Sequence, residues 1–106
     1  MNIEERVEIA ILMKYYGKLL TDKQQGILSM YVDNNLSLAE VSAELNITRQ
    51  AVKDALDTSY TTLKNLEEKL GFISRDEKLR NLLENKPLNQ IDMATRLEII
   101  ALLEDN

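Results

Sequence analysis

The chain contains neither cysteine nor histidine. Without thiolates there is no disulfide and no sulfur-ligated metal site, a usage that fits a reducing compartment. Without imidazole the commonest general base, the usual zinc ligand and any nucleophile–imidazole pair are gone. The three glycines do not form a loop of the phosphate-binding kind. Aromatics are few, four Tyr and one Phe, which argues against a sheet that stacks RNA bases on its rings. No apolar run approaches the ~18 residues that mark a membrane-spanning helix. The first residues, MNIEERVE, are acidic where a secretory signal would be basic. These absences predict a cytoplasmic protein that is not an enzyme, has no membrane span and uses no cofactor or metal.

The carboxylates do not rescue a catalytic reading. Glu4/Glu5, Asp54/Asp57 and Glu67/Glu68 fall among other charges on predicted helices, as solvated faces do. Asp33-Asn34-Asn35 lacks the loop glycine and the closing Glu of a calcium site.

With 44% apolar residues in 106, the chain can bury a core as one domain with an appendage. Its most informative stretch is Ser37 to Leu56, SLAEVSAELNITRQAVKDAL. Ser37 and Glu40 make a capping box that opens a helix. Leu38, Val41 and Leu45 share one face of it, and Ser42 supplies the small residue needed for close approach. Asn46 stands where the chain must turn, and Asn tolerates positive φ. Ile47 follows as a buried turn residue. Thr48 then caps a second helix with Val52 and Leu56 on its inner face. This is the pattern of a helix-turn-helix. Thr48, Arg49, Gln50 and Lys53 would sit at the exposed start of the second helix, where such motifs meet bases and phosphates.

Charge works against that use. Between Thr21 and Leu56 there are three cations, Lys23, Arg49 and Lys53, against five carboxylates, and the whole chain carries −5. Affinity for nucleic acid rests on neutralised phosphates. Asp54, one turn below Gln50, would repel a nearby phosphate. A dimer would double a weak patch, and a motif serving only as a protein-contact scaffold stays level with one that binds DNA.

The rest of the chain also reads as helix. Ile3, Val7, Ala10 and Ile11 lie on one face of the first segment, and Ile9, Leu12, Met13, Tyr16 and Leu20 widen it, as in a helix buried on more than one side. Thr21 and Gln24 form a second capping box, opening a helix with Ile27, Leu28, Tyr31 and Val32 inside. The tyrosines are read as core residues with their hydroxyls at the rim. From Arg49 a helix can run unbroken to Leu70, with Gly71 as its C-terminal cap. Along it Val52, Leu56, Ser59, Leu63, Leu66 and Leu70 recur in a heptad-like seam. That seam packs either against the first helix or against a second copy, so Val52, Leu56, Leu63, Leu66 and Leu70 are candidate dimer residues. A third box, Ser74 with Glu77, would start a helix that ends before Pro87. The last helix is expected from about Asn89 to Leu103, with Ile91, Ala94, Leu97, Ile100 and Ala101 on one side. Leu88, Ile99, Leu102 and Leu103 make it apolar nearly all round, so it must dock on something. The expectation is all-α. A helix-turn-helix domain with a three-helix core and a long fourth helix spans 1–71, and a helical extension spans 72–106.

The segment Tyr15 to Leu56 resembles the YlxM family of small bacterial helix-turn-helix proteins. The pieces that carry the likeness are Leu20-Thr21-Asp22-Lys23-Gln24, Met30-Tyr31, Ser37-Leu38 and Thr48-Arg49-Gln50-Ala51-Val52, with Leu66-Glu67-Glu68-Lys69-Leu70 beyond them. The motif is also similar to the promoter-recognising fourth region of sigma factors and to winged-helix-type cores. The resemblance implies a role in the signal recognition particle pathway, with the particle's RNA or its GTPase protein as partner. A dimeric, DNA-binding transcriptional regulator is the alternative, and a helical adaptor that binds no nucleic acid is a third reading. Lys53-Asp54 stands where sigma-like helices have a more basic pair, which weakens the DNA reading. A homodimer is expected, through the first helix or the Val52–Leu70 seam.

Overall fold

The computed structural model describes residues 2–85 and 92–104, and no strand occurs among them. Its α-helices are α1 (Ile3–Tyr16), α2 (Asp22–Leu28), α3 (Leu38–Leu45), α4 (Arg49–Leu70), α5 (Phe72–Asn85) and α6 (Met93–Glu104). A 3-10 turn, Gly17–Leu19, follows α1, and a π-helical turn, Ser29–Asp33, follows α2. The chain divides into two compact units, 1–66 and 67–106; the expected boundary stood at Gly71, where α4 ends.

In the first unit, side-chain caps open the helices where the sequence places them. Asn2 Oδ1 accepts the Glu5 amide at 2.8 Å to open α1. Thr21 and Gln24 cap each other reciprocally at 3.1 Å, as do Ser37 and Glu40 at 3.0 and 3.1 Å. Each box satisfies two amides that a helix start leaves unpaired. The π-helical turn lets the Asn34 amide reach the Ser29 carbonyl at 3.0 Å, and Asn35 then takes a left-handed φ of 54°. Both α1 and α3 pack on this turn. Arg6 of α1 fastens the contact: its guanidinium lies 4.5 Å from the centre of the Tyr31 ring and also donates to the Asn35 side chain.

The core of this unit holds Ile9, Leu12 and Tyr16 from α1, then Leu20, Ile27, Leu28, Tyr31 and Val41. Val52, Leu56 and Leu63 from α4 complete it. α1 was expected to be buried on more than one side, and in this chain only one side is. Ile3, Val7, Ala10 and Ile11 are exposed, and the residues thought only to widen their stripe make the core. In an apolar helix of this breadth the pattern alone does not choose between two opposite faces.

The second unit pairs α5 with α6. α5 begins at Phe72, so Ser74 lies inside its first turn and does not cap it. Glu67 takes that role instead, its carboxylate accepting the Ile73 and Ser74 amides at 3.0 and 3.2 Å. α6 starts at Met93, later than expected, with Asp92 Oδ1 accepting the Thr95 amide at 2.8 Å. Its buried or half-buried residues are Thr95, Ile99 and Leu102, whereas Ala94, Leu97, Ile100 and Ala101 are exposed. The polar Thr95 on the inner face hid that orientation. The expected break at Lys86-Pro87, and Leu88, Asn89 and Ile91, lie outside the described residues.

Candidate nucleic-acid interface

The turn between α3 and α4 is built by backbone chemistry that few residues permit. Asn46 adopts φ 54° and ψ 45°, the left-handed conformation that Asn tolerates better than other non-glycine residues. This brings two successive amides onto one acceptor: Asn46 and Ile47 both donate to the Ser42 carbonyl, the latter at 3.1 Å. The last turn of α3 is thereby capped and the chain is redirected within three residues. Ile47 is half-buried.

Thr48 starts α4. Its Oγ1 accepts the Ala51 amide at 3.0 Å and its carbonyl accepts the Val52 amide at 3.1 Å. Val52 and Leu56 turn into the core, which fixes the rotation of the helix about its own axis. That rotation leaves Thr48, Arg49, Gln50 and Lys53 exposed together at one end of a 22-residue helix. The four predicted residues are therefore adjacent and exposed. The Thr48 hydroxyl is occupied as a cap.

Gln50 is also oriented within the chain. Its Nε2 donates to Asp54 Oδ1 at 2.8 Å, one helical turn further on. The remaining N–H and Oε1 of the amide stay available, the donor–acceptor pair with which glutamine reads adenine in a major groove. The spacing of Gln50 and Asp54 was visible in the sequence, but there it read only as a repulsive charge below the motif.

The candidate dimer seam divides. Val52, Leu56 and Leu63 are buried inside this chain, Leu66 is half-buried, and Leu70 is 40% exposed. Of the two uses weighed for the seam, packing within the chain accounts for its first three leucine and valine positions.

Elsewhere, among the described residues, no cluster of three or more metal-ligating side chains occurs, and no helix is long and apolar enough to cross a membrane. In the second unit an open cleft of about 1000 Å³ lies between α5 and α6, with Leu82, Ala101 and Leu102 on its walls and Lys78 and Glu98 among its polar lining.

Comparison with known proteins covers nearly the whole chain. Residues 3–103 match the model of the UPF0122 family, described as helix-turn-helix proteins, YlxM / p13 like. A UPF0122 protein of Desulforamulus reducens is 45% identical over 73 residues, covering 69% of this chain and 62% of that protein. One from Mycoplasma capricolum is 39% identical over 90 residues, 85% of this chain and 80% of the relative. One from Clostridium kluyveri is 39% identical over 84 residues, 79% and 73% of the two chains.

Proposed function

This chain belongs to the UPF0122 family of YlxM / p13-like helix-turn-helix proteins, and on that premise we propose that it is a non-enzymatic regulatory binding protein of the signal recognition particle pathway. It grips the particle's RNA with the first turn of α4, using Arg49, Gln50 and Lys53. The observation that carries the binding role is the joint exposure of these three side chains beside a capped, core-anchored helix start. The choice of this pathway rests on the family resemblance, and the acidic balance of the chain favours a confined contact over a broad phosphate-tracking one.

A second reading, a dimeric regulator of transcription on duplex DNA, is favoured by one feature. The Gln50 amide is held by Asp54, as a base-reading side chain would be.

Binding to labelled particle RNA and to mixed genomic duplex, followed in one salt series, tests both. Salt-sensitive RNA binding that fails in an Arg49→Ala/Lys53→Ala variant supports the first reading. Selective duplex binding with the same loss supports the second. Equal binding by wild type and double variant removes α4 from both, and binding to neither nucleic acid moves the search to the particle's GTPase protein.

A further inference from the structure

α1 is apolar on two opposite faces, and this chain uses only one. Ile9, Leu12 and Tyr16 are buried in the first unit. Ile3, Val7 and Ile11, each four residues from the next, run along the other side and are 80%, 54% and 44% exposed. Ala10, beside them, is exposed as well. Side chains four apart stack on one face of a helix, so these form a continuous apolar stripe. Of the charges on α1, Arg6 is turned onto the Tyr31 ring and Asn35, and the Glu8 carboxylate accepts from Tyr60. Beside the stripe, Glu4 lies at its N-terminal end and Lys14 at its C-terminal end.

We propose that this stripe binds the same stripe of a second copy, with the two α1 helices antiparallel. A twofold pairing is self-complementary and closes on itself, so it hides the stripe without opening a filament. Antiparallel packing sets Glu4 of each helix beside Lys14 of the other; parallel packing would set like on like. The opposed helix dipoles favour the same direction. With Val7 opposite Ile11 of the second copy, Glu4 falls opposite Lys14 of that copy in the same register. Three aliphatic side chains per copy make a small interface, so the association is weak and reversible. The pairing needs no nucleic acid and does not rest on the function proposed above.

Sedimentation of the full chain over a concentration series into the hundreds of micromolar tests this. The wild type is expected to dimerise reversibly. Val7→Asp, at an exposed position, should remain monomeric with an unchanged helical circular dichroism spectrum. Glu4→Lys and Lys14→Glu should each weaken the dimer at least several-fold. The double variant carrying both should recover it, because each pair is restored with its signs exchanged. A wild type that stays monomeric throughout overturns the proposal, as does association that survives Val7→Asp. Loss of association in Leu97→Asp but not in Val7→Asp would assign the contact to α6 instead. A double variant no tighter than the single ones overturns the antiparallel register.

Discussion

The Tyr60 hydroxyl donates a 2.6 Å hydrogen bond to the Glu8 carboxylate, joining α4 to α1 across 52 positions of sequence. The ammonium of Lys64 lies 5.0 Å from the centre of the same ring. In the rotation of α1 that makes this bond, Ile9 and Leu12 face inward while Val7 and Ile11 face out. The tie outside the core is thus consistent with the burial of Ile9, Leu12 and Tyr16.

That bond makes stability sensitive to alkali. Donation to Glu8, then partial burial, then the negative charges of Glu8 and Glu5 push the Tyr60 phenol from 10.0 up to about 12. The folded chain holds this proton more tightly than the unfolded one. The associated stability is therefore complete below pH 10 and is lost as pH rises from 10 to about 12. Thermal melts across that range should show a steep decline in the wild type and a shallower one in Tyr60→Phe. Near neutral pH the same variant should cost about 1 kcal/mol, the usual net worth of such a bond. Parallel melting curves for the two proteins at high pH would contradict this.

Asn46 should be the most conformationally demanding residue of the motif. With φ at 54°, a side chain branched at Cβ is strained there whatever space surrounds it. Asn46→Val should therefore destabilise by about 1–2 kcal/mol or more, whereas Asn46→Gly should stay close to wild type. Urea unfolding of the two variants checks the order, and a Gly variant weaker than the Val variant would break the argument.

Much of this arrangement was legible before the structure, and the legible part was chemical. Ser37 with Glu40, Thr21 with Gln24, Thr48 and Asn46 each have a side-chain or backbone role that one residue type fills best. Each sits where the sequence put it. The full length of α4, ending against Gly71 with its φ of 66°, was readable for the same reason. Orientation was less legible. α1 and α6 are apolar nearly all round, so hydrophobic periodicity could not say that Val7 and Leu97 face out while Ile9 and Thr95 face in. Glu67 capping α5 was also hidden, because the cap comes from the preceding helix and not from the local Ser74 box. At the candidate site the sequence singled out Thr48, Arg49, Gln50 and Lys53, which the structure exposes together, but not the bond that orients Gln50.

The α4 seam should split by burial when it is truncated. Leu63 is fully buried and Leu70 is 40% exposed. Leu63→Ala should cost about 2–5 kcal/mol through lost apolar transfer and the cavity it leaves. Leu70→Ala and Arg49→Ala should each stay within about 0.5–1 kcal/mol of wild type, as partly or fully exposed substitutions do. Denaturant midpoints at one fixed protein concentration separate these outcomes. Comparable losses at Leu63 and Leu70 would mean that the outer end of the seam is covered in solution.

Asp54 performs two opposed tasks, and substitution can separate them. Its carboxylate holds the Gln50 amide at 2.8 Å, and it also places a negative charge next to Lys53 and five residues from Arg49. Asp54→Asn keeps an oxygen that can accept from Gln50 Nε2 and removes the charge. If α4 approaches phosphates, this variant should bind nucleic acid several-fold more tightly than wild type at low salt, with the gain shrinking as salt rises. Asp54→Ala removes the charge and the tether together. It should show the same electrostatic gain on random sequence but lose discrimination wherever Gln50 reads a base, by about 1–3 kcal/mol for one bidentate contact. Titrations of the three proteins on one ligand, at two salt concentrations, resolve the two effects. Identical affinities for all three would mean that the first turn of α4 does not face the nucleic acid.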